Sequence, residues 1–454
     1  MSRPSDMLAG TPAEEMTDDR LRRDTIRTTV SGLAVFALAF VTGPILARAL
    51  GSSGRGSVAA VIIPTQIFGW VLMFGIPQAT AYFARIRKRR QLIMSAWVFM
   101  LVVGLPIVLV VWPLVPRLLS RHPPVVVDFF RAFLLASLLV LPFTTIIDHL
   151  RGIGRNGAFN IFRLLQYVLN TVLLAALFVT NRLDLRTALL VTLIANLTAW
   201  LVTIGVNRAW PGRGFRRSVF REQVHYGARV WIGTTSAMVI ARFDQLLMVG
   251  LVAPRALGLY VVASTAAQIT GPIGQGVALS LLPHLRVDAD ATDRHRVMTR
   301  NALRWTLIAS GGTAIVVGLA APVVLPFVYG SEFSAAVIPL LILLPGQVCQ
   351  DMANVLSSKL EADDRPGAAS KGTALGAVTT LLLIVPAVEV HGIRGAALVT
   401  SVSQAVFLAY VWFADRHPHA GRRDAGSTRR RAIVGWCVLA FVAALAVVGW
   451  WQLS

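Results

Sequence analysis

Cysteine is almost missing: only Cys349 and Cys437 carry thiols in 454 residues, and both sit inside apolar runs. Two such thiols make neither a disulfide framework nor a thiolate metal site. Acidic residues are scarce too, 22 against 43 Lys plus Arg, and charged residues of both signs reach only 14% of the chain. A soluble surface draws on about a quarter. The chain also lacks a Gly-x-x-x-x-Gly-Lys-Ser/Thr phosphate loop, a Gly-x-Ser-x-Gly elbow and any His/Cys/Asp/Glu cluster at metal-ligand spacing. These absences exclude P-loop ATP binding and elbow-type hydrolase chemistry, and no metal or cofactor is expected.

What fills the space is hydrophobic, 55% of all residues, in one apolar segment after another from Thr28 onward. Segments of about 20 apolar residues span a bilayer as helices, so the expectation is an all-α polytopic membrane protein. A formal charge of +21 would point to nucleic acid in a soluble chain. Here the arginines sit in short links between apolar segments, and no separate basic domain exists to bind nucleic acid. Near the N-terminus, a basic stretch, an apolar run and Ala47-Arg48-Ala49 mimic a cleavable signal. The run is too long and the arginine unfavourable at a cleavage site, so 28–48 reads as the first span.

Thirteen helices are predicted, at 28–48, 57–84, 91–115, 128–150, 157–179, 187–206, 226–251, 257–284, 303–328, 334–358, 368–388, 395–414 and 432–453. Of the 43 basic residues, 33 fall in links that an inside N-terminus places on the inner side, nine fall in outer links, and Arg242 lies within a span. The positive-inside rule then puts the N-terminus in the cytoplasm and the C-terminus outside a bacterial-type plasma membrane. Residues 1–27 read as a disordered cytoplasmic tail. Residues 207–225, with Arg216, Arg217 and Arg221 beside Phe215 and Phe220, read as an amphipathic linker suited to an anionic inner leaflet. Residues 415–431 form a basic cytoplasmic link before the thirteenth helix, 432–454.

A weak internal repeat divides the chain into two lobes, 28–206 and 226–414. Gly56, Gln66, Ile67 and Gly69 recur 202 residues later as Gly258, Gln268, Ile269 and Gly271. Leu141-Pro142 with Asp148 recurs as Leu344-Pro345 with Asp351, and Arg186-Thr-Ala-Leu-Leu-Val-Thr192 as Arg394-Gly-Ala-Ala-Leu-Val-Thr400. Six spans return each half to the same side, so the lobes are parallel, pseudo-symmetric six-helix bundles. Pro64, Pro77 and Gly271-Pro-Ile-Gly274 interrupt corresponding helices, either at a wet cavity or for close helix packing.

Three stretches carry a family resemblance. Ala47-Arg48-Ala49-Leu50-Gly51 with Gly54-Arg55-Gly56, Leu150-Arg-Gly-Ile-Gly-Arg155 with Asn160-Ile-Phe-Arg163, and Arg242-Phe-Asp244-Gln-Leu-Leu-Met-Val-Gly250 with Leu257-Gly258-Leu-Tyr260 resemble signatures of polysaccharide transporters. Those transporters belong to the multidrug/oligosaccharidyl-lipid/polysaccharide flippase superfamily, whose usual core is twelve helices. The resemblance implies a V-shaped pair of bundles that moves a lipid-linked sugar intermediate from the inner to the outer leaflet by alternating access. Its substrate would be a polyprenyl-diphosphate oligosaccharide or cell-surface polysaccharide precursor, and glycosyl transferases or a polymerase would share its pathway.

A charge in mid-span needs a partner, a cavity or a bundle interior. On a helical wheel Thr235, Met238, Arg242 and Gln245 share one face, while Asp244 points elsewhere and needs a partner of its own. Arg242 could hold a diphosphate or sugar acid through its guanidinium fork, with Arg48, Gln66, Gln268, Gln245 and Asn170 as further substrate contacts. Asp244, Asp148 and Asp351 are candidates for coupling or gating, although ion pairing with arginines such as Arg151 explains them equally. Arg163, Gln347 and Asn354 are weaker polar candidates, and Glu389 beside His391 reads as solvated. Two other functions fit the pattern less well. A drug/cation antiporter of the same fold would want acidic residues in its cavity, and a membrane-embedded glycosyl transferase, polymerase or ligase would want outer carboxylates and a sizeable outer loop.

Overall fold

The computed structural model describes residues 12–240, 242–278, 292–363 and 365–417. Among these residues all regular structure is helical: α1 (Pro12–Met73), α2 (Ile76–Phe83), α3 (Arg89–Phe99), α4 (Leu105–Val111), α5 (Val115–Leu118), α6 (Pro124–Ala136), α7 (Val140–Gly152), α8 (Asn156–Val179), α9 (Leu185–Val206), α10 (Arg217–Ile240), α11 (Phe243–Leu251), α12 (Pro254–Ala267), α13 (Thr292–Tyr329), α14 (Val337–Ala362) and α15 (Pro366–Arg416). The stretch 12–27, expected as a disordered tail, is helical and continues into α1. The expected thirteenth helix at 432–453 lies outside the described residues, as do 1–11.

Nine stretches among the described residues are long and apolar enough to cross a membrane. Two of them, Val30–Met73 with 44 residues and Gly367–Arg416 with 50, are too long for one crossing, since about 20 helical residues span the hydrocarbon. Both turn at a glycine with positive φ, Gly51 (φ 65°) and Gly392 (φ 56°), a backbone state that costs other residues a Cβ clash.

Side-chain contacts show that the chain doubles back at each glycine. Ser31 donates to Asn160 Oδ1 at 2.8 Å and Arg85 Nε to Gly152 O at 3.2 Å, so the two ends of the first hairpin meet the end of α7 and the first turns of α8. In α15, Thr380 donates to Ser403 Oγ at 2.8 Å, and Arg365, one residue before the helix, donates to Ala414 O at 3.0 Å near its end.

Other spans break where the sequence removes donors. The expected helix 91–115 passes through a π turn at Met100–Gly104 and a 3₁₀ turn at Trp112–Leu114, around Pro106 and Pro113, which lack the amide proton of the helical ladder. The expected helix 57–84 breaks at Phe74 and Gly75, both with positive φ. The expected helix 226–251 also divides, α10 ending at Ile240 and α11 beginning at Phe243.

The described chain forms two compact units whose borders run inside helices. The first is Met1–Ala49, Phe68–Leu114 and Asp128–Thr235. Its core gathers Ile76, Ile93, Met94, Trp97, Phe99, Leu141, Ile146 and Ile204, and Trp97 Nε1 donates to Ala209 O at 2.8 Å. Within it Gly75 and Gly227 bring α2 and α10 into backbone contact, because a Cβ on either would overlap the other's main chain.

The second unit is Leu50–Ile67, Val115–Val127 and Ser236–Ser454. One cluster packs Ala353, Leu356 and Leu360 of α14 against Phe407, Val411 and Ala414 of α15. At the start of the descending limb of α1, Glu332 accepts from Ser52 N at 3.0 Å and from Ser52 Oγ at 2.8 Å, supplying a carboxylate to a freshly opened helix end. Gly56 and Gly258 then meet directly. A Cβ on Gly56 would overlap Pro254 O, and one on Gly258 would overlap Ser52 O. The repeat offset of 202 exchanges the two contacts, carrying Ser52 to Pro254 and Gly56 to Gly258. The contact is therefore reciprocal.

Candidate functional site

The break after Ile240 sets the site. Arg242 takes the N-cap position of α11 (φ −127°, ψ 5°), so the wheel drawn across one continuous helix does not apply. Thr235 belongs to α10, whereas Arg242 and Gln245 open α11. Arg242 Nη1 donates to Gln245 Oε1 at 3.1 Å. The fully buried Gln245 passes its own amide to Ser264 Oγ at 2.9 Å, and Gln268 Nε2 reaches the same hydroxyl at 3.3 Å. Three residues singled out from sequence, Arg242, Gln245 and Gln268, thus join one hydrogen-bonded chain through Ser264 on α12. Gln268 sits on a 3₁₀ turn, Gln268–Thr270, that ends α12.

A second arginine belongs with them. Arg55 on the descending limb of α1 interacts electrostatically with Tyr329 at the end of α13 and with the like charge of Arg242. Its Nε is buried without a hydrogen-bond partner among the described residues. Two guanidinium groups whose fields overlap, one with an unsatisfied buried donor, form an environment that favours an anion. Sequence reasoning counted Arg55 with the first outer link, yet the residue stood inside the Gly54-Arg55-Gly56 motif. The missed signal was a charge between two glycines.

Asp244 lies in the field of Arg242 and also has hydroxyl partners of its own. It accepts from Tyr260 OH at 2.5 Å and from Thr400 Oγ1 at 3.2 Å, tying α11 to α12 and α15. Tyr260 is fully buried. Asp351, wholly buried on α14, accepts from Ser310 Oγ of α13 at 2.8 Å. Gly274, from the interrupted Gly271-Pro-Ile-Gly274 stretch, leaves room for that carboxylate, since a Cβ there would come 2.7 Å from Asp351 Oδ1.

The remaining candidates are placed elsewhere. Gln66, in the second unit, is exposed. In the first unit Arg48 is exposed, Asn170 on α8 is half-buried with Oδ1 lacking a partner among the described residues, and Asp148 pairs with Arg151 at 3.2 Å. Asn160 and Arg163 there bind Ser31, which joins α8 to α1. No group of three or more His, Cys, Asp or Glu side chains suited to a metal occurs among the described residues.

A family model described as polysaccharide biosynthesis protein matches residues 21–283, more than half of the chain. The chain belongs to this family. A Haloferax volcanii protein named probable low-salt glycan biosynthesis flippase Agl15 is 23% identical to this polysaccharide biosynthesis family member over 293 residues, 63% of this chain and 59% of that relative. Among solved structures, an inward-facing multidrug resistance MATE family transporter of the MOP superfamily aligns with TM-score 0.69 and 14% identity, covering 87% of this chain and 98% of that one. The lipid II flippase MurJ in an inward closed conformation gives TM-score 0.69 and 11% identity over 92% and 98%. These likenesses show a shared all-helical fold.

Proposed function

We propose that the protein is a flippase that carries a lipid-linked, polyprenyl-diphosphate oligosaccharide or polysaccharide precursor from the inner to the outer leaflet by alternating access. The observation that carries this reading is the Arg55–Arg242 pair at the head of the Gln245, Ser264 and Gln268 chain. Cationic groups followed by amides and a hydroxyl match a diphosphate followed by sugar. The Agl15 and MurJ names, both flippases, support the same class. A drug/cation antiporter fits less well, because it would want free acidic residues in its cavity, and the carboxylate beside Arg242, Asp244, is bonded by Tyr260 and Thr400. A glycosyl transferase, polymerase or ligase is disfavoured by the lack of a sizeable outer loop in the sequence.

The direct test is reconstitution in liposomes with a lipid-linked glycan, reading leaflet accessibility against heat-denatured protein. Accessibility that changes no faster than in the denatured control would end this reading. Under it, Asp244 serves the integrity of the second unit, while Asp351 and Asp148 remain proposed coupling or gating groups. The N-terminus is cytoplasmic, the C-terminus outside, and glycosyl transferases or a polymerase are pathway partners.

A further inference from the structure

A groove of about 560 Å³ opens between α13, α14 and α15 of the second unit, away from the Arg242 chain. Arg300, Arg304, Lys359 and Arg416 line it, and Asp415 is its single carboxylate among the described residues. Lys359 and Asp415 are largely buried and bound to each other. That pair neutralises itself and leaves three arginines over. Arg416 is held above the Trp412 ring at 3.9 Å from its centroid, and all three arginines are exposed. Arg300 and Arg304 stand one turn apart on α13, a mild repulsion of like charges that an anion between them would relieve.

The walls differ from the rim. Leu303, Leu307 and Leu356 line the groove, and on the same helix Trp305 and Ile308 are 67% and 63% exposed in a stretch apolar enough to span a membrane. An anion bound there meets guanidinium at one end and acyl-chain surroundings at the other, and the volume far exceeds a free phosphate. Arg300, Arg304, Lys359 and Arg416 also belong to links that the charge distribution assigns to the inner side, and the inference rests on that orientation.

We propose that this groove binds the phosphate of an anionic glycerophospholipid of the inner leaflet, with Arg300, Arg304 and Arg416 as its ligands. The site is separate from the flipping chemistry, so its test does not depend on transport. Full-length protein would be exchanged into phosphatidylglycerol or phosphatidylcholine, and retained lipid counted by native mass spectrometry. The wild type should prefer phosphatidylglycerol by about tenfold or more, a preference that weakens as salt rises. The triple variant Arg300→Gln, Arg304→Gln, Arg416→Gln should lose it. The corresponding triple lysine variant should keep most of it, which separates charge from misfolding. Removing three exposed arginines from outer links, Arg117→Gln, Arg182→Gln and Arg186→Gln, should leave it intact. Equal loss in that control, displacement of phosphatidylglycerol by inorganic phosphate, or tighter retention of polyprenyl phosphate would each overturn the assignment.

Discussion

Arg242 donates to Gln245 and lies in the fields of Arg55 and Asp244, so the two arginines are tested separately. Arg242→Gln and Arg55→Gln should each lower flipping about 10- to 100-fold at unchanged protein abundance, the scale of one charge-assisted hydrogen bond. Unchanged transport in both would remove the pair from the substrate path. Asp244 predicts the opposite pattern. Asp244→Ala strands the Tyr260 and Thr400 hydroxyls and should cost about 1–3 kcal/mol of stability in a thermal melt, whereas Asp244→Asn keeps an acceptor and should cost less. Sequence pattern singled out both residues as charges within an apolar run. It could not find Ser264, which becomes a junction only when α11 and α12 pack, nor Glu332, 280 residues from the Ser52 amide that it accepts.

His122 connects residue chemistry to an element. Its Nε2 donates to Val249 O at 3.2 Å, and Arg121 Nη1 donates to Leu251 O, pinning the link after α5 to the end of α11. Burial pushes the imidazole below its ordinary range, with the bond to Val249 opposing. A pKa lower in the fold than in the unfolded chain means the folded state binds the proton less well. Stability from this group is therefore complete above the unfolded value of about 6.5 and falls as pH drops below it. Thermal melts from neutral to pH 5 should show that decline, and His122→Gln should flatten it. Glycines act at the same scale. Gly392→Ala forces a Cβ into a positive φ and should destabilise the α15 hairpin by about 1–2 kcal/mol. Gly258→Leu should be worse, because the Cβ overlaps Ser52 O and α1 must move away from α12. The periodicity that marked apolar runs gave no warning of the break at Arg242, since that interruption is neither a glycine nor a proline.

Over the whole chain, the internal repeat and the charge asymmetry were legible in the order of amino acids alone, because hydropathy and basic links report the membrane directly. The Gly56–Gly258 contact joins two positions that the repeat pairs. The compact units were not legible, because residues 50–67 of the first half pack with the second unit and residues 217–235 of α10 with the first. Orientation then becomes the decisive measurement at this scale. The near absence of cysteine makes it simple: a Cys349→Ala, Cys437→Ala background carries no thiol. Single cysteines placed at Asn181 and Ser454 should react with a membrane-impermeant maleimide in intact cells, and one at Arg216 only after permeabilisation. An exchange of the first and third results would invert the topology and with it the inner-side assignment of the α13 groove. A change at Ser454 alone would mean that the thirteenth segment does not cross, leaving the positive-inside count for the other twelve intact.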